Sequence, residues 1–183
     1  MNIKPLLCAI ALLLAPVLVQ ATHLYSGYIS YTTDPQNPRK LDFVFTLYTK
    51  IASAADDPFA FIHMGDGHDV RVERKSVTRY SAHYDKEIFT WSHTYSAPGN
   101  YTVHWTGENR NGGIINMPAP TDLLTFKIAT LVKVGSATQN LHGAKLAGVP
   151  ITEAYAGEPW TFNFLAYDED GDYLVYDLVT PKY

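Results

Sequence analysis

The chain of 183 residues carries a formal net charge of −4 that is spread along its length, and 13% of its residues are aromatic. This charge balance leaves no basic face and argues against a nucleic-acid-binding protein. The length suits one domain and part of a second. The single cysteine, Cys8, provides neither a disulfide framework nor a thiolate metal site.

The first 21 residues have the composition of a secretory signal peptide. A basic start at Lys4 precedes an apolar run over 6–19, and Val19-Gln20-Ala21 places small residues at positions −3 and −1 of a cleavage site. The run is shorter than the ~20 apolar residues of a comfortable membrane span. We therefore expect cleavage before Thr22, no transmembrane span in the mature chain, and a secreted or cell-surface location. An uncleaved anchor is the alternative.

Segments in which apolar and polar residues alternate fill the next hundred residues. A period of two predicts β-strands, and many short strands separated by Gly and Pro favour an all-β sandwich. One short helix over 51–56 is the single exception that we expect. The predicted strands cover 24–32, 41–50, 59–64, 68–74, 77–83, 87–95, 101–106 and 123–134.

Two phrases stand out from this pattern. Residues 65–67 read Gly-Asp-Gly, and residues 93–103 read His-Thr-Tyr-Ser-Ala-Pro-Gly-Asn-Tyr-Thr-Val. The glycines allow a positive φ at a polar corner, and the aspartate can accept hydrogen bonds from turn amides. The phrases resemble the PKD domain, whose pattern is a Gly-Asp-Gly corner, a His-x-Tyr strand end and Pro-Gly-x-Tyr-x-Val. The resemblance implies an Ig-like β-sandwich over 22–134 with a structural corner made by Gly65, Asp66, Gly67, His93 and Tyr95.

The residues after 134 differ in character. Residues 135–149 lack alternation and contain three glycines, which is typical of a linker. The phrase Ala-Tyr-Asp-x-Asp-Gly-Asp-x-Leu-x-Tyr-x-Leu over 166–178 resembles the cadherin-like Ig modules of bacterial surface proteins. This implies a second β-sandwich module over 150–183, with a strand over 173–179. Too few strands follow residue 150 to complete it, so we expect the sequence to be a fragment of a longer protein.

A wider resemblance covers nearly all of the chain after the predicted signal peptide. The phrases are Ala-Thr-His at 21–23, Gly-Tyr-Ile-Ser-Tyr at 27–31 and Glu-Asn-Arg-Asn-Gly-Gly-Ile-Ile-Asn-Met at 108–117. They resemble the N-terminal region of large secreted surface proteins of gliding bacteria, which string PKD-like and cadherin-like modules together. The resemblance implies export and an adhesive or surface role, without a known ligand.

The acidic turn over 168–172 is the strongest candidate for a bound ion. Asp168, Asp170 and Asp172 can converge in a tight turn that Gly171 permits. Hard oxygen ligands at this spacing suit Ca²⁺, although the spacing is not that of an EF-hand. A solvated hairpin turn is the alternative, and no other cofactor is indicated.

Two further groups carry a functional and a structural interpretation each. His63, Asp66, His68 and Asp69 have a spacing that zinc could use, but the corner already explains Asp66, and His63 falls in a predicted strand. Polar residues ahead of Gly112-Gly113 could contact a sugar or peptide, or could satisfy the backbone of their own loop. These polar residues are Asn109, Arg110 and Asn111.

The sequence contains none of the common catalytic motifs, neither Gly-x-Ser-x-Gly nor His-Glu-x-x-His, and no phosphate loop. We therefore expect a non-catalytic extracellular module that serves adhesion, domain spacing or interaction with an extracellular protein or polysaccharide. The alternative is a carbohydrate-binding accessory module of a secreted hydrolase. Exposed aromatic residues in a row would favour that alternative. The tryptophans that bear on it are Trp91, Trp105 and Trp160, which core packing would equally explain.

Overall fold

A computed structural model of the chain describes residues 24–51, 56–108, 110–136, 139–148 and 154–181. These residues form β-strands and one 3₁₀ turn, Thr121–Leu123, which confirms the all-β prediction. The predicted signal peptide lies outside the described residues, as do positions 52–55 of the predicted short helix.

Seven strands form one antiparallel sheet with the order β1-β2-β5-β4-β3-β6-β7. Its first and last strands, β1 and β7, also approach each other, so the sheet is nearly closed around its core. The strands are β1 (Leu24–Asp34), β2 (Asn37–Lys50), β3 (Phe59–His63), β4 (Asp69–Arg79), β5 (Tyr84–Thr94), β6 (Gly99–Gly107) and β7 (Phe126–Val134).

Strand β4 joins the two halves of this sheet and corrects the sequence analysis. Residues 69–73 pair with β3, whereas residues 74–79 pair with β5, and the register shifts between Arg74 and Ser76. The sequence analysis predicted two separate strands, over 68–74 and 77–83. A single strand forms because residues 69–79 contain neither Gly nor Pro to reverse the chain, and a local shift is enough to bend it.

The core lies between the two halves of the bent sheet. Alternate residues in part of β2, Leu41, Phe43 and Phe45, point inward, as the period-two pattern requires. The ring centroids of Phe45 and Phe89 lie 5.5 Å apart, and that of Trp105 lies 5.1 Å from Phe45. Burial of each large apolar side chain stabilises the fold by about 1.5–3 kcal/mol, so this core can hold the domain without disulfides.

The segment predicted as a linker is attached along β1. The amide of Thr33 donates to Leu141 O at 2.7 Å, and the amide of Gly143 donates to Tyr31 O at 2.8 Å. Two short strands follow, β8 (Lys145–Leu146) and β9 (Ala166–Tyr167), and they pair with each other. The predicted strand over 173–179 is not formed, because in the described part of the chain it has no neighbouring strand to pair with.

Candidate functional site

The Gly-Asp-Gly corner connects β3 to β4, and Asp66 organises it. Gly65 and Gly67 have φ angles of 82° and 89°, in the left-handed region. Asp66 Oδ1 accepts the amide of His68 at 3.1 Å, and Asp66 Oδ2 lies 2.8 Å from His93 Nε2. Burial raises the pKa of the Asp66 carboxyl, but the bonds from His93 and His68 outweigh it, so this pKa lies below its usual value. The corner therefore favours the charged carboxylate.

Tyr95 anchors the same corner from the end of β5. Its side chain is fully buried, and its hydroxyl donates to Met64 O at 3.1 Å. The ring stacks on Tyr101, with centroids 4.2 Å apart, and meets His93 edge-on at 4.6 Å. Burial raises the pKa of Tyr95, so the phenol stays neutral and acts as a donor. These contacts hold the corner against the end of β5 and occupy the hydroxyl of Tyr95 as a hydrogen-bond donor.

A second pair of histidines lies on the outer face, where β3 meets β6. His63 and His104 are directly opposite each other, and their rings stack with centroids 4.6 Å apart. His63 Nδ1 lies 2.7 Å from Asp69 Oδ1. Burial lowers the pKa of His104, and the nearby charges of Lys127 and His63 lower it further. The sequence analysis singled out His63 and Asp69 but missed His104, which only the strand register brings to them.

The residues of the zinc alternative divide into two pairs. Asp66 contacts His68 at 3.3 Å and His93, whereas Asp69 contacts His63. Within the described residues, no group of three or more His, Cys, Asp or Glu side chains is arranged to hold a metal ion. The geometry at the corner is that of hydrogen-bonded pairs.

The polar residues ahead of Gly112-Gly113 make internal contacts. The guanidinium of Arg110 donates twice to Thr125 O, at 3.1 and 2.9 Å, and lies over the ring of Phe126. Asn111 Nδ2 donates to Leu24 O at 3.1 Å. Asn109 lies outside the described residues. The contacts of Arg110 and Asn111 hold their own loop against β1 and β7, which leaves little of either side chain for a ligand.

The acidic turn engages the segment that lies along β1. Asp170 Oδ2 accepts the amides of Leu141 at 3.0 Å and His142 at 2.8 Å, and Asp170 Oδ1 lies 2.8 Å from His142 Nδ1. Asp168 Oδ1 accepts the amide of Asp170. The hydrogen bond from His142 is the main reason that the pKa of Asp170 lies below its usual value. Within the described part of the chain, the three carboxylates are not among any group of side chains arranged to hold a metal ion, and calcium binding by this turn stays a prediction.

The three tryptophans fall into two classes. Trp91 stacks on Phe43, with centroids 5.1 Å apart, and Trp105 packs on the core beside Phe45. Trp160 is 51% exposed and stacks on Phe162 with an angle of 3° between the rings. Of the three tryptophans, only Trp160 is therefore exposed to solvent.

Two residues that the sequence analysis did not select also hold key positions. Glu87 lies in β5 two residues before the core residue Phe89 and therefore on the same face, so a charge at a core position was the signal that could have found it. His142 gave no such signal, because its partner Asp170 is 28 positions away.

The described residues contain no helix that is long and apolar enough to cross a membrane. Comparison of the chain with protein-family models, with curated proteins and with solved structures finds no match.

Proposed function

We propose that this protein is a non-catalytic extracellular module of the PKD type, which holds the segments joined to it at a fixed orientation and adheres to an extracellular protein or polysaccharide. The proposal includes export to the cell surface or medium after cleavage behind Ala21. Its support is the Gly-Asp-Gly and His-x-Tyr phrases, together with the contact between His93 and Asp66 at the Gly-Asp-Gly corner.

The observation that carries the proposal is the attachment of the connecting segment to β1. A flexible linker would leave its amides to water, but here Thr33 and Gly143 form main-chain bonds across the junction. Gln139 Nε2 adds a bond to Pro38 O at 2.8 Å. Asp170 then ties the following segment back to Leu141 and His142. A spacer needs this kind of contact, because hydrogen bonds at both ends restrict rotation about the connection.

The distance between the sheet and the following segment tests the spacer role. The only native cysteine is Cys8, so cleavage after Ala21 would leave introduced cysteines as the sole labelling sites. Spin labels on Thr78→Cys and Thr161→Cys, both exposed positions, report the distance by pulsed electron resonance. We expect one narrow distance distribution, which Asp170→Ala broadens because the tie to His142 is lost.

Asp172→Asn is the matched control, since it removes one charge from the same turn without removing a hydrogen bond to residues 139–148. It should leave the distribution narrow. A broad distribution in the parent chain, or equal widths for Asp170→Ala and Asp172→Asn, would contradict the spacer role.

Export has a separate test. N-terminal sequencing of protein from the medium or surface of an expressing bacterium should begin at Thr22. A mature species that retains Met1 would contradict it.

Trp160 supports a second candidate, a carbohydrate-binding accessory module. Its exposed ring, which stacks on the ring of Phe162, is an aromatic surface of the kind on which sugar rings stack. Binding of soluble polysaccharides to the chain and to Trp160→Ala distinguishes this function. Retention that Trp160→Ala abolishes would support it, and retention that is equal in both would not.

A further inference from the structure

The sheet splits between β3 and β6, and the split opens a cleft. The two strands pair only at Ile62–Trp105 and His63–His104. Beyond these two pairs, towards the start of β3 and the end of β6, the strands no longer pair with each other. There Phe59 to Phe61 pair with β4, and Thr106 and Gly107 pair with β7. The cleft between these two edges has a volume of about 440 Å³, which is within the range of ligand-binding sites.

The floor of the cleft carries a buried polar group. Glu87 is 8% exposed, and its Oε1 accepts the hydroxyl of Thr49 at 2.7 Å. Its Oε2 accepts Arg74 Nη1 at 3.1 Å, and Arg74 also pairs with Asp56. A buried ion pair adds little to stability compared with apolar residues of the same size. Stability alone therefore does not explain why this ion pair lies at the floor of an open cleft.

The rim and the walls add a second property, which is negative charge beside aromatic rings. Asp57 and Glu108 lie at the rim, are exposed, and form no ion pair with any described residue. Phe61, 54% exposed, contributes to one wall, and Trp105 contributes to the other. Three carboxylates and no Lys or Arg are found among the described lining residues.

We propose that this cleft receives a lysine or arginine side chain from an extended segment of a partner protein. The alkyl stem would lie against Phe61 and Trp105, and the charged head would lie between Asp57 and Glu108. Charge complementarity selects a cation, and aromatic walls favour it further. Arg71 already stacks on Phe59 at 4.1 Å beside the cleft, so a guanidinium on an aromatic ring is a geometry that this surface accommodates.

A polypeptide fits better than a small amine because of the strand edges. In the described part of the chain, the wall segments over 59–61 of β3 and 106–107 of β6 are each paired with a neighbouring strand on one side only. An extended peptide can use such an edge for main-chain hydrogen bonds while its side chain enters the cleft. The cleft would be the binding site for the adhesive part of the proposed function, so this inference rests on that part.

Titration of the full chain by amide NMR tests the inference. The probe is a blocked peptide, acetyl-Ser-Gly-Arg-Gly-Ser-amide, and its neutral control has citrulline in place of arginine. We expect saturable shifts at Phe61, Thr106 and Gly107, with the citrulline peptide at least about tenfold weaker. Asp57→Asn combined with Glu108→Gln should weaken the arginine peptide at least about tenfold, whereas Glu158→Gln, at an exposed position that is not part of the cleft lining, should not.

Three results would overturn the inference: no saturable shift at millimolar peptide, equal shifts from the arginine and citrulline peptides, or unchanged binding in the double variant. Agmatine, a small guanidinium compound, distinguishes a free small cation from the side chain of a polypeptide as the ligand of the cleft. Binding of agmatine as tight as that of the peptide would assign the cleft to a small amine and overturn the polypeptide assignment. The spacer role is measured on other residues, so a negative titration with a narrow spin-label distance would reject only this cleft.

Discussion

His93 Nε2 lies 2.8 Å from Asp66 Oδ2, and this contact joins the end of β5 to the corner between β3 and β4. The two residues are 27 positions apart: His93 lies in β5, whereas Asp66 lies in the turn between β3 and β4. Because the carboxylate also accepts the amide of His68, one side chain fixes both the turn and the strand that ends beside it. The corner is thus a tertiary contact as well as a local turn.

Replacing Asp66 should destabilise the fold measurably. Asp66→Ala leaves the amide of His68 and the ring of His93 without their acceptor, and the Asp66 side chain is only 9% exposed. We expect a loss of about 1–3 kcal/mol in the free energy of unfolding, measured by denaturant titration. Asp69→Ala is the control: Asp69 also contacts a histidine, His63, but is 60% exposed.

The control should cost about 0–1 kcal/mol, since exposed ion pairs contribute little. Equal losses for Asp66→Ala and Asp69→Ala would mean that the corner is solvated like the exposed pair.

The two glycines of the corner should differ in their tolerance of a side chain. Both have a positive φ, which costs an L-residue about 1–2 kcal/mol. A Cβ on Gly65 would also lie 2.8 Å from the backbone N and O of Thr102, whereas a Cβ on Gly67 would meet nothing within 4 Å. We therefore expect Gly65→Ala to lower the melting temperature more than Gly67→Ala. A larger effect at Gly67 would show that the close approach to Thr102 is not rigid.

Local sequence patterns predicted most of the sheet. Strands β1, β2, β3, β5 and β6 lie where alternation placed them, because each has one face on the core. Positive φ angles at Gly65 and Gly67 agree with the turn chemistry of the Gly-Asp-Gly phrase.

Contacts between distant residues could not be predicted in the same way. The bend within β4 depends on pairing with both β3 and β5, and nothing in residues 69–79 indicates where one partner gives way to the other. The bond between His142 and Asp170 joins a segment without alternation to a turn 28 residues later. The cleft beside Phe61 exists because β3 and β6 part after two residue pairs, which is a property of register.

Protonation of His104 should make the fold less stable in mild acid. Burial, Lys127 and His63 lower its pKa in the folded state below the usual 6.5, so the unfolded chain takes up the proton first. Its contribution to stability is complete above about pH 6.5 and is lost as the pH falls through the lowered pKa. We expect the free energy of unfolding to decline over this interval and to decline less in His104→Phe.

His83→Phe, in the turn between β4 and β5, is the matched histidine control and should keep the slope of the parent chain. An unchanged slope in His104→Phe would show that protonation of His104 does not change the free energy of unfolding.

Protonation of Asp170 should detach residues 141 and 142 from the acidic turn. The hydrogen bond from His142, with the amides of His142 and Leu141, holds the pKa of Asp170 below the usual 3.8. A carboxyl with a lowered pKa stabilises the folded state fully above that usual value, and the contribution is lost as the pH falls through the folded-state pKa. We expect the amide NMR signals of Leu141 and His142 to move together in that acid range, well before the signals of the core strands.

Asp170→Ala should produce the detached state at neutral pH, with faster hydrogen exchange at Leu141 and His142. The amide of Gly143 should respond less, because it donates to Tyr31 O and not to the turn. Asp172→Asn removes the same charge from a residue that makes no such bond to this segment, so it should leave exchange at Leu141 and His142 as in the parent. If both variants exchanged alike, the general negative charge of the turn, and not the bonds to Asp170, would hold the turn against Leu141 and His142.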